Sequence, residues 1–443
     1  MSDTAPATPL DAPIMEMETA VARARQKNDP ARLINALIQL GQVYLDSGNV
    51  PKALTQYEEA LALAQAEKEE LLEARLWGYK GICLKRLGNT HFAQIALYKS
   101  HNMAQALQHE PLLIDALTQI GALQLEMGQA TKAISRLEKA YGLALNIGDQ
   151  LRAMNLAGKI GDIFFRLESL EKAMEYYAAA WQTAQRLGQP ASECVHLLNM
   201  GNVLLLNQEY EGAREQYELA LNLAAELSNP AAEINALNSL MRVSLADDQL
   251  SMALLYGEQA IRLARETADS AGEIGNIHLL TSYLLEKGQA RRAIPHLRRG
   301  VEIAESNEDW QWQITMLSQL GFASYTLEKL DEALAAYEVA LKRARQLQDK
   351  VASGQIYGRL SAVLAEQGQL NEAITAARQA IDLGRELDDA ALVSEQQMML
   401  AFAYRDLGDV DQARACCLEA IAAYRELGDA ALLAQAELLL AEL

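Results

Sequence analysis

The sequence predicts an all-α fold of ten helix-turn-helix repeats, each 40 residues long, with a half-repeat at each end. Three observations predict it: small residues recur at a fixed step, turn signals recur at a fixed step, and the composition favours helices. The chain is rich in Ala, Leu, Glu and Gln and has only 9 Pro; such residues lose little side-chain freedom in a helix. No run shows the apolar/polar alternation that is typical of a strand.

Small residues recur every 40 positions along the chain. The series from Ala53 is alanine in all ten repeats, and the series from Ala60 holds only Ala, Ser or Gly. A third series, from Gly41, is mostly glycine and has one bulky exception, Met241. Small side chains let neighbouring helices approach closely, and a larger one would overpack the contact by about 1–3 kcal/mol. The repeats are therefore predicted to nest against one another, as in repeat proteins generally.

Turn signals divide each repeat into a helix A and a helix B. Pro190 and Pro230 stand at first-turn positions, where a missing N–H costs nothing. The first repeat is predicted to have helix A near 31–47 and helix B near 51–67. The predicted left-handed C-caps of helix A are Gly48, Gly88, Gly128, Gly288, Gly368 and Gly408. The predicted N-caps are Asp149, Asp269, Asp309, Asp349, Asp389 and Asp429.

These patterns predict one domain over residues 13–443. It consists of a half-repeat at 13–30, ten repeats over 31–430 and a terminal helix at 431–443. Residues 1–12 are polar and rich in Pro and Ala, without the features of a signal peptide. We expect them to form a disordered tail.

The formal net charge of -20, from 39 basic and 59 acidic residues, bounds the partners. An acidic surface repels phosphate backbones, so nucleic acid is not expected to bind. No apolar run is long enough to span a membrane, so no membrane insertion is expected. The four cysteines have no disulfide spacing and are expected to be small apolar fillers, which favours a cytoplasmic location.

Catalytic signatures are missing from the sequence. It has no phosphate-binding loop, no HExxH and no nucleophile elbow, and the six histidines have no metal-ligand partner at helical spacing. We therefore expect no enzyme activity and no cofactor or metal.

The order of large and small residues resembles the tetratricopeptide repeat (TPR) with longer helices, although the period alone also fits the HEAT class. The residues that carry the resemblance are Leu37, Leu40, Gly41, Tyr44, Gly48, Ala53, Tyr57 and Ala60. The long-repeat branch includes kinesin light chains, Leu-Gly-Asn-repeat adaptors, bacterial Rap-type sensors and the sensor arms of bacterial signalling ATPases. The resemblance implies a right-handed α-solenoid superhelix, with partners bound in a concave groove lined by helices A.

By spacing, the groove-facing stripe is predicted at positions 35, 38, 42 and 45 or 46 of each repeat. Asn offers both a donor and an acceptor to a peptide backbone, and Arg offers a fork for a carboxylate. The alternative is that these are ordinary hydrophilic residues on a solvent-facing side. The lysine/asparagine clamp of the Hsp70/Hsp90 co-chaperones is absent. The candidate peptide-binding residues are Asn155, Asp162, Arg166, Leu198, Asn202, Asn235, Asn238, Arg242, Phe322 and Phe402.

The predicted function is that of a non-enzymatic scaffold or adaptor that binds a peptide segment of a partner protein. One alternative is a peptide-responsive regulatory sensor. A second is a self-assembling structural protein, because the terminal helix at 431–443 is apolar on more than one face. Trp310 and Trp312 form an aromatic pair that no other repeat has, and they are either partner contacts or core residues.

Overall fold

The computed structural model describes residues 11–443, whose secondary structure consists of helices and the turns between them. They fall into two compact units, called unit 1 and unit 2, which meet in the sequence between residues 227 and 228. The helices of unit 1 are α1 (Asp11–Gln26), α2 (Pro30–Asp46), α3 (Val50–Ala66), α4 (Glu70–Arg86), α5 (Thr90–Ala106), α6 (Glu110–Glu126), α7 (Ala130–Asn146), α8 (Gln150–Arg166), α9 (Leu170–Leu187), α10 (Pro190–Leu206) and α11 (Tyr210–Glu226). The helices of unit 2 are α12 (Pro230–Ala246), α13 (Leu250–Glu266), α14 (Ser270–Glu286), α15 (Ala290–Ser306), α16 (Trp310–Tyr325), α17 (Leu330–Gln346), α18 (Lys350–Glu366), α19 (Leu370–Glu386), α20 (Ala390–Asp406), α21 (Val410–Leu427) and α22 (Ala430–Glu442).

Each unit is an all-α solenoid of five helical hairpins. The even-numbered helices are the predicted helices A and the odd-numbered ones the predicted helices B, so α1 is a lone helix B and α22 a lone helix A. Every hairpin packs against the next one in its unit. Helices A also contact each other directly, α4 with α6 in unit 1, and α14, α16, α18 and α20 in succession in unit 2. The repeat architecture is confirmed, while a single domain over residues 13–443 stays a prediction.

The turns follow one design. At the end of α2, Gly48 has φ +79°, and the N–H of Asn49 donates to the carbonyl of Tyr44 at 2.8 Å, which closes a Schellman motif. All six predicted glycine C-caps have positive φ. The sequence did not indicate that non-glycine residues such as Ala268 (φ +55°) take the same left-handed conformation at equivalent turns.

The predicted N-caps are confirmed. In Asp149, for example, Oδ1 accepts a hydrogen bond from the N–H of Arg152 at 3.0 Å, and the other five predicted aspartates cap their helices in the same way. Pro190 and Pro230 begin α10 and α12, as predicted. Each cap satisfies a backbone donor that would otherwise lack a partner at the helix start.

The recurring alanines lie in the core. Ala53 and its nine counterparts are at most 2% exposed, and so are Ala60 and the other Ala and Ser residues of that series. Each glycine of the Gly41 series packs against a Tyr or Leu 16 positions later in the same hairpin. A Cβ on Gly41 would lie 2.6 Å from Cε1 of Tyr57, so the tyrosine ring occupies the space that a side chain would need.

Met241, the bulky exception in the glycine series, keeps the same packing by an exchange of sizes. Its partner 16 residues later is Gly257, and a Cβ on that glycine would lie 2.8 Å from Sδ of Met241. The large side chain has moved from helix B to helix A of the hairpin. The combined volume of the pair is therefore kept, as a close-packed core requires.

The start of α1 and the state of the cysteines can be compared with the predictions. Residues 1–10 of the predicted tail lie outside the described residues, whereas positions 11 and 12 belong to α1, which begins two residues earlier than predicted. The four cysteines are free thiols; three are buried and Cys416 is half-buried. Burial raises the pKa of Cys83 to about 11, as expected of a thiol that fills space in a core.

Candidate functional site

In unit 1 the helices α4, α6 and α8 together line a cavity of about 350 Å³, here called the α4–α8 cavity. Position 35 of three successive repeats contributes Arg75, Asp115 and Asn155. Tyr79 and Ile82 contribute part of its apolar wall. Three A helices thus present polar ends and an apolar wall to one space, which is the composition typical of ligand sites.

Charge in the α4–α8 cavity is mixed. Arg152 Nε and Nη2 donate to the two oxygens of Asp115 at 3.2 and 3.3 Å, while Nη1 donates to Asp149 at 2.6 Å. Burial by the surrounding walls raises the pKa of Asp115, against the opposing effect of Arg152. Two further cations, Arg75 and Lys159, line the cavity, and the charge of Arg75 also opposes the raised pKa of Asp115.

A second cavity of unit 1, of about 290 Å³, brings together three of the candidate residues: Asp162, Arg166 and Asn202. Asp162 and Asn202 are held by the tyrosines of the core. Tyr177 Oη donates to Oδ1 of Asp162, and Tyr217 Oη donates to Oδ1 of Asn202, both at 2.8 Å. Because each has a partner in its own hairpin, only part of its hydrogen-bonding capacity is available to a ligand.

Leu198 on α10, another candidate residue of unit 1, is half-buried. A neighbour that the sequence did not single out is His196, which is buried against Gly158 of α8; a Cβ on that glycine would lie 2.9 Å from the His196 ring. Burial lowers the pKa of His196, against the opposing effect of the Asp162 charge.

In unit 2, the candidates Asn235 and Arg242 are exposed on α12. Asn238 on the same helix is half-buried, and its Nδ2 donates to Oδ1 of Asn276 on α14 at 2.8 Å. Asn238 is therefore partly committed to holding two A helices together.

The two candidate phenylalanines of unit 2 lie on α16 and α20. Phe322 lines a cavity of about 550 Å³ and has the guanidinium of Arg359 5.1 Å from its ring centre. Phe402 is 37% exposed, with Arg405 5.2 Å from its ring centre. Both rings carry a cation on one face.

The tryptophan pair is divided between surface and core. Trp310 is exposed and has Arg343 5.0 Å from its ring centre. Trp312 is half-buried and packs edge-on against His278, with ring centres 5.5 Å apart.

The stripe residues richest in asparagine did not indicate the cations of the α4–α8 cavity. A usable signal existed: stepping back by 40 from Asn155 gives Asp115 and then Arg75. The binding role of all ten candidates stays a prediction.

None of the helices within residues 11–443 combines the length and the apolar character that a membrane span requires. Across the same residues, His, Cys, Asp and Glu side chains form no cluster of three or more with the arrangement of a metal site.

Models of the tetratricopeptide repeat match residues 34–66, 312–386 and 395–427. A model of anaphase-promoting complex subunit 5 matches residues 89–157. No curated protein matches the sequence.

Two solved structures are similar in fold. One is the apo form of RapI, at 14% sequence identity, with 80% of this chain and 98% of that chain covered and a TM-score of 0.55. The other is a signal transduction ATPase with numerous domains and a tetratricopeptide repeat sensor, from Pyrococcus horikoshii. It has 18% identity and a TM-score of 0.52, and the match covers 76% of this chain and 48% of that one. This chain thus spans about half the length of the ATPase.

At these identities the likeness to solved structures concerns the fold alone. The repeat models add sequence evidence in both units, in the same hairpins that the 40-residue period marks. The chain accordingly contains tetratricopeptide repeats, which the family models match over these three segments.

Proposed function

We propose that the protein is a non-enzymatic scaffold that binds a peptide segment of a partner protein on the surface formed by its A helices. The observation that carries the proposal is the α4–α8 cavity, which three successive A helices line with both apolar and polar side chains. Repeat proteins use such extended surfaces for binding, and the TPR fold is generally a non-catalytic interaction module.

The exposed candidates Asn155, Arg166, Asn235 and Arg242 are the predicted contacts of this surface, each within its own unit. They differ from Asn202 and Asn238, whose side chains already hold neighbouring residues. A test of binding therefore has to change the first group, since changes in the second would also alter the packing.

The test uses short peptides selected on the wild-type chain from a random library displayed on phage. Asn155→Trp fills the α4–α8 cavity with a neutral ring and should weaken selected peptides about tenfold or more, because a filled cavity cannot take a side chain. Ser135→Trp on the exposed side of α7 is the matched control and should change nothing. Equal affinity of the two variants, measured by fluorescence anisotropy, would count against the proposed surface.

A second candidate function, self-association, is favoured by the outer side of α22. Leu438 is 64% exposed and Leu432 37% exposed, while Ala436 and Leu439 pack against the preceding hairpin. Leu438→Glu should shift an oligomer towards the monomer in sedimentation velocity, because it places a charge on that apolar side. A wild-type chain that stays monomeric at high concentration would exclude this function.

A further inference from the structure

We propose that the α4–α8 cavity binds an extended acidic segment of a protein partner, with one carboxylate at Arg75 and a second at Lys159. The inference rests on the proposed function and deepens it, because it names the chemistry of the segment that this part of the A-helix surface takes.

The cavity has an excess of positive charge. The chain carries a net charge of -20, yet three cations and one carboxylate line this space. Arg152 donates hydrogen bonds to Asp115 and to the neighbouring Asp149, and the charge of Arg75 also opposes the rise that burial causes in the pKa of Asp115. The three cations exceed these two carboxylates by one, and Arg75 and Lys159 stand on either side of the Arg152–Asp115 pair, on α4 and α8.

A buried hydroxyl also faces the cavity. Ser100 on α5 is 1% exposed, and its Oγ has no hydrogen-bond partner among the described residues. It also lines the cavity, beside Gly78, where a Cβ would lie 3.3 Å from Oγ. Ser100 is the one serine in a series that is otherwise Ala or Gly. An unsatisfied buried hydroxyl costs stability unless something completes its hydrogen bond.

The distance between the two cations sets the length of the segment that could contact both. Arg75 is on α4 and Lys159 on α8, with α6 between them. Packed helices lie about 8–10 Å apart, so the two cations start from backbones separated by up to about 20 Å, and an extended chain covers that in about six residues. The long side chains of Arg75 and Lys159 extend into the cavity, so the distance between their charges is shorter than the distance between their backbones. Two acidic residues separated by about four others therefore match the two cations.

The wall between the cations is apolar. Tyr79, Ile82, Leu112 and Leu156 line the same cavity. An apolar side chain between the two acidic residues would be buried there, while a backbone N–H or C=O of the segment would complete the hydrogen bond of Ser100. The segment is thus acidic at both ends and apolar in the middle.

The experiment measures the affinity of a fluorescein-labelled peptide that has two glutamates about four residues apart, with Leu and Phe between them. Arg75→Gln with Lys159→Gln should weaken it about tenfold or more, and added salt should weaken wild-type binding. Lys132→Gln with Lys139→Gln, both exposed on α7, removes the same charge outside the cavity and should leave the affinity unchanged. Ser100→Ala should weaken binding about three- to tenfold without lowering the melting temperature.

Charge reversal supplies the sharper comparison. Arg75→Glu with Lys159→Glu should reject the acidic peptide and bind the same peptide with lysines in place of its glutamates. Equal loss of affinity in the cavity and α7 variants would overturn the inference, as would binding of oligothymidylate in preference to the peptide.

The phage selection separates this inference from the proposed function. If the selected peptides are neutral or basic and are blocked by Asn155→Trp, the surface binds peptides but the acidic assignment is wrong. If no selected peptide is blocked by Asn155→Trp, both are wrong.

Discussion

The first hairpin of unit 1 and the first hairpin of unit 2 occupy equivalent positions 200 residues apart, and they are packed differently. In unit 1, Gly41 of α2 makes room for the ring of Tyr57 on α3; in unit 2, Met241 of α12 extends towards Gly257 on α13. The contact between helix A and helix B is kept although the large side chain has changed helix. These two hairpins follow a volume rule in which one large side chain faces one glycine, and either helix can supply the large side chain.

The contact between the first and second hairpins also differs between the two units. Ile38 and Leu76 belong to one apolar core cluster of unit 1. Their counterparts in unit 2, Asn238 and Asn276, form a side-chain hydrogen bond and leave one amide atom each without a partner. Unit 2 therefore has polar groups at a place where unit 1 has hydrocarbon.

The two units also differ in the surroundings of one carboxylate. Glu73 in unit 1 accepts hydrogen bonds from Gln65 and Trp77 and lies 3.8 Å from Nζ of Lys99. Its counterpart Glu273 is 4% exposed and is bonded by two guanidinium groups, those of Arg265 at 2.8 Å and Arg299 at 3.1 Å. Unit 2 has thus buried a charge and surrounded it with two opposite ones.

The largest effect on the free energy of unfolding is expected from changes to Gly41 and Tyr57, the facing pair of unit 1. Tyr57→Gly should lower the free energy of unfolding by about 4 kcal/mol, through the cavity that it leaves and the glycine in a helix. Gly41→Met should cost about 3 kcal/mol because its side chain meets the Tyr57 ring. Together, the two substitutions should recover about 2 kcal/mol relative to their sum, since they recreate the arrangement of unit 2. Urea denaturation measures all three, and strictly additive losses would contradict the volume rule.

The buried carboxylate predicts a pH dependence. Burial alone would raise the pKa of Glu273, but the hydrogen bonds of Arg299 and Arg265 outweigh it and lower that pKa below its usual 4.5. A lowered folded-state pKa means that the stabilisation is present above pH 4.5 and is lost as the pH falls through the folded-state value. Glu273→Gln should cost about 2 kcal/mol at neutral pH and flatten this acid limb of a stability profile.

Glu73→Gln is the matched control for the carboxylate. Because Glu73 has one distant cation and two neutral donors, its loss should cost about half as much at most. An acid limb that is equally steep in wild type and Glu273→Gln would refute the assignment.

The polar junction of unit 2 gives a smaller effect. Asn276→Leu alone should destabilise by about 1 kcal/mol, because it leaves the Asn238 amide without its acceptor in a half-buried place. Asn238→Ile with Asn276→Leu copies unit 1 and should restore the wild-type stability or exceed it. A double variant less stable than the single one would show that the amide pair is needed for packing.

The smallest effect is expected at a turn. Ala268→Gly should stabilise the chain by about 0.5 kcal/mol, because alanine is strained at φ +55° while glycine costs some unfolded-state entropy. The reverse substitution, Gly48→Ala, should destabilise by about 1 kcal/mol for the same reason. Thermal melting of both variants checks the sign, and equal shifts in one direction would contradict it.

The sequence was sufficient for the hairpins because their determinants are local. The alanine series, the glycine C-caps and the aspartate N-caps act within about twenty residues of each other, and each is found where it was predicted. The sequence pattern shows Met241 only as an exception to the glycine series, because its packing depends on the size of the facing residue, Gly257.

The site was harder to predict because it depends on contacts between repeats. The spacing rule predicted Asn155 as a peptide contact, and the structure places it in one cavity with Arg75 and Lys159, which the rule did not indicate. The rule also predicted Asn202 as a contact, but it did not indicate the hydrogen bond that Asn202 accepts from Tyr217. Which stripe residues meet across helices depends on how closely each pair of A helices approaches, and no local pattern contains that distance.

The short turns, two to four residues long throughout the described helices, have an evolutionary consequence. Because the period is constant, loss or duplication of one 40-residue stretch would leave every remaining hairpin with a suitable neighbour. The α4–α8 cavity, however, draws on three successive hairpins. Recombination between repeats could therefore change the binding specificity of the chain in a single event and leave its ability to fold intact.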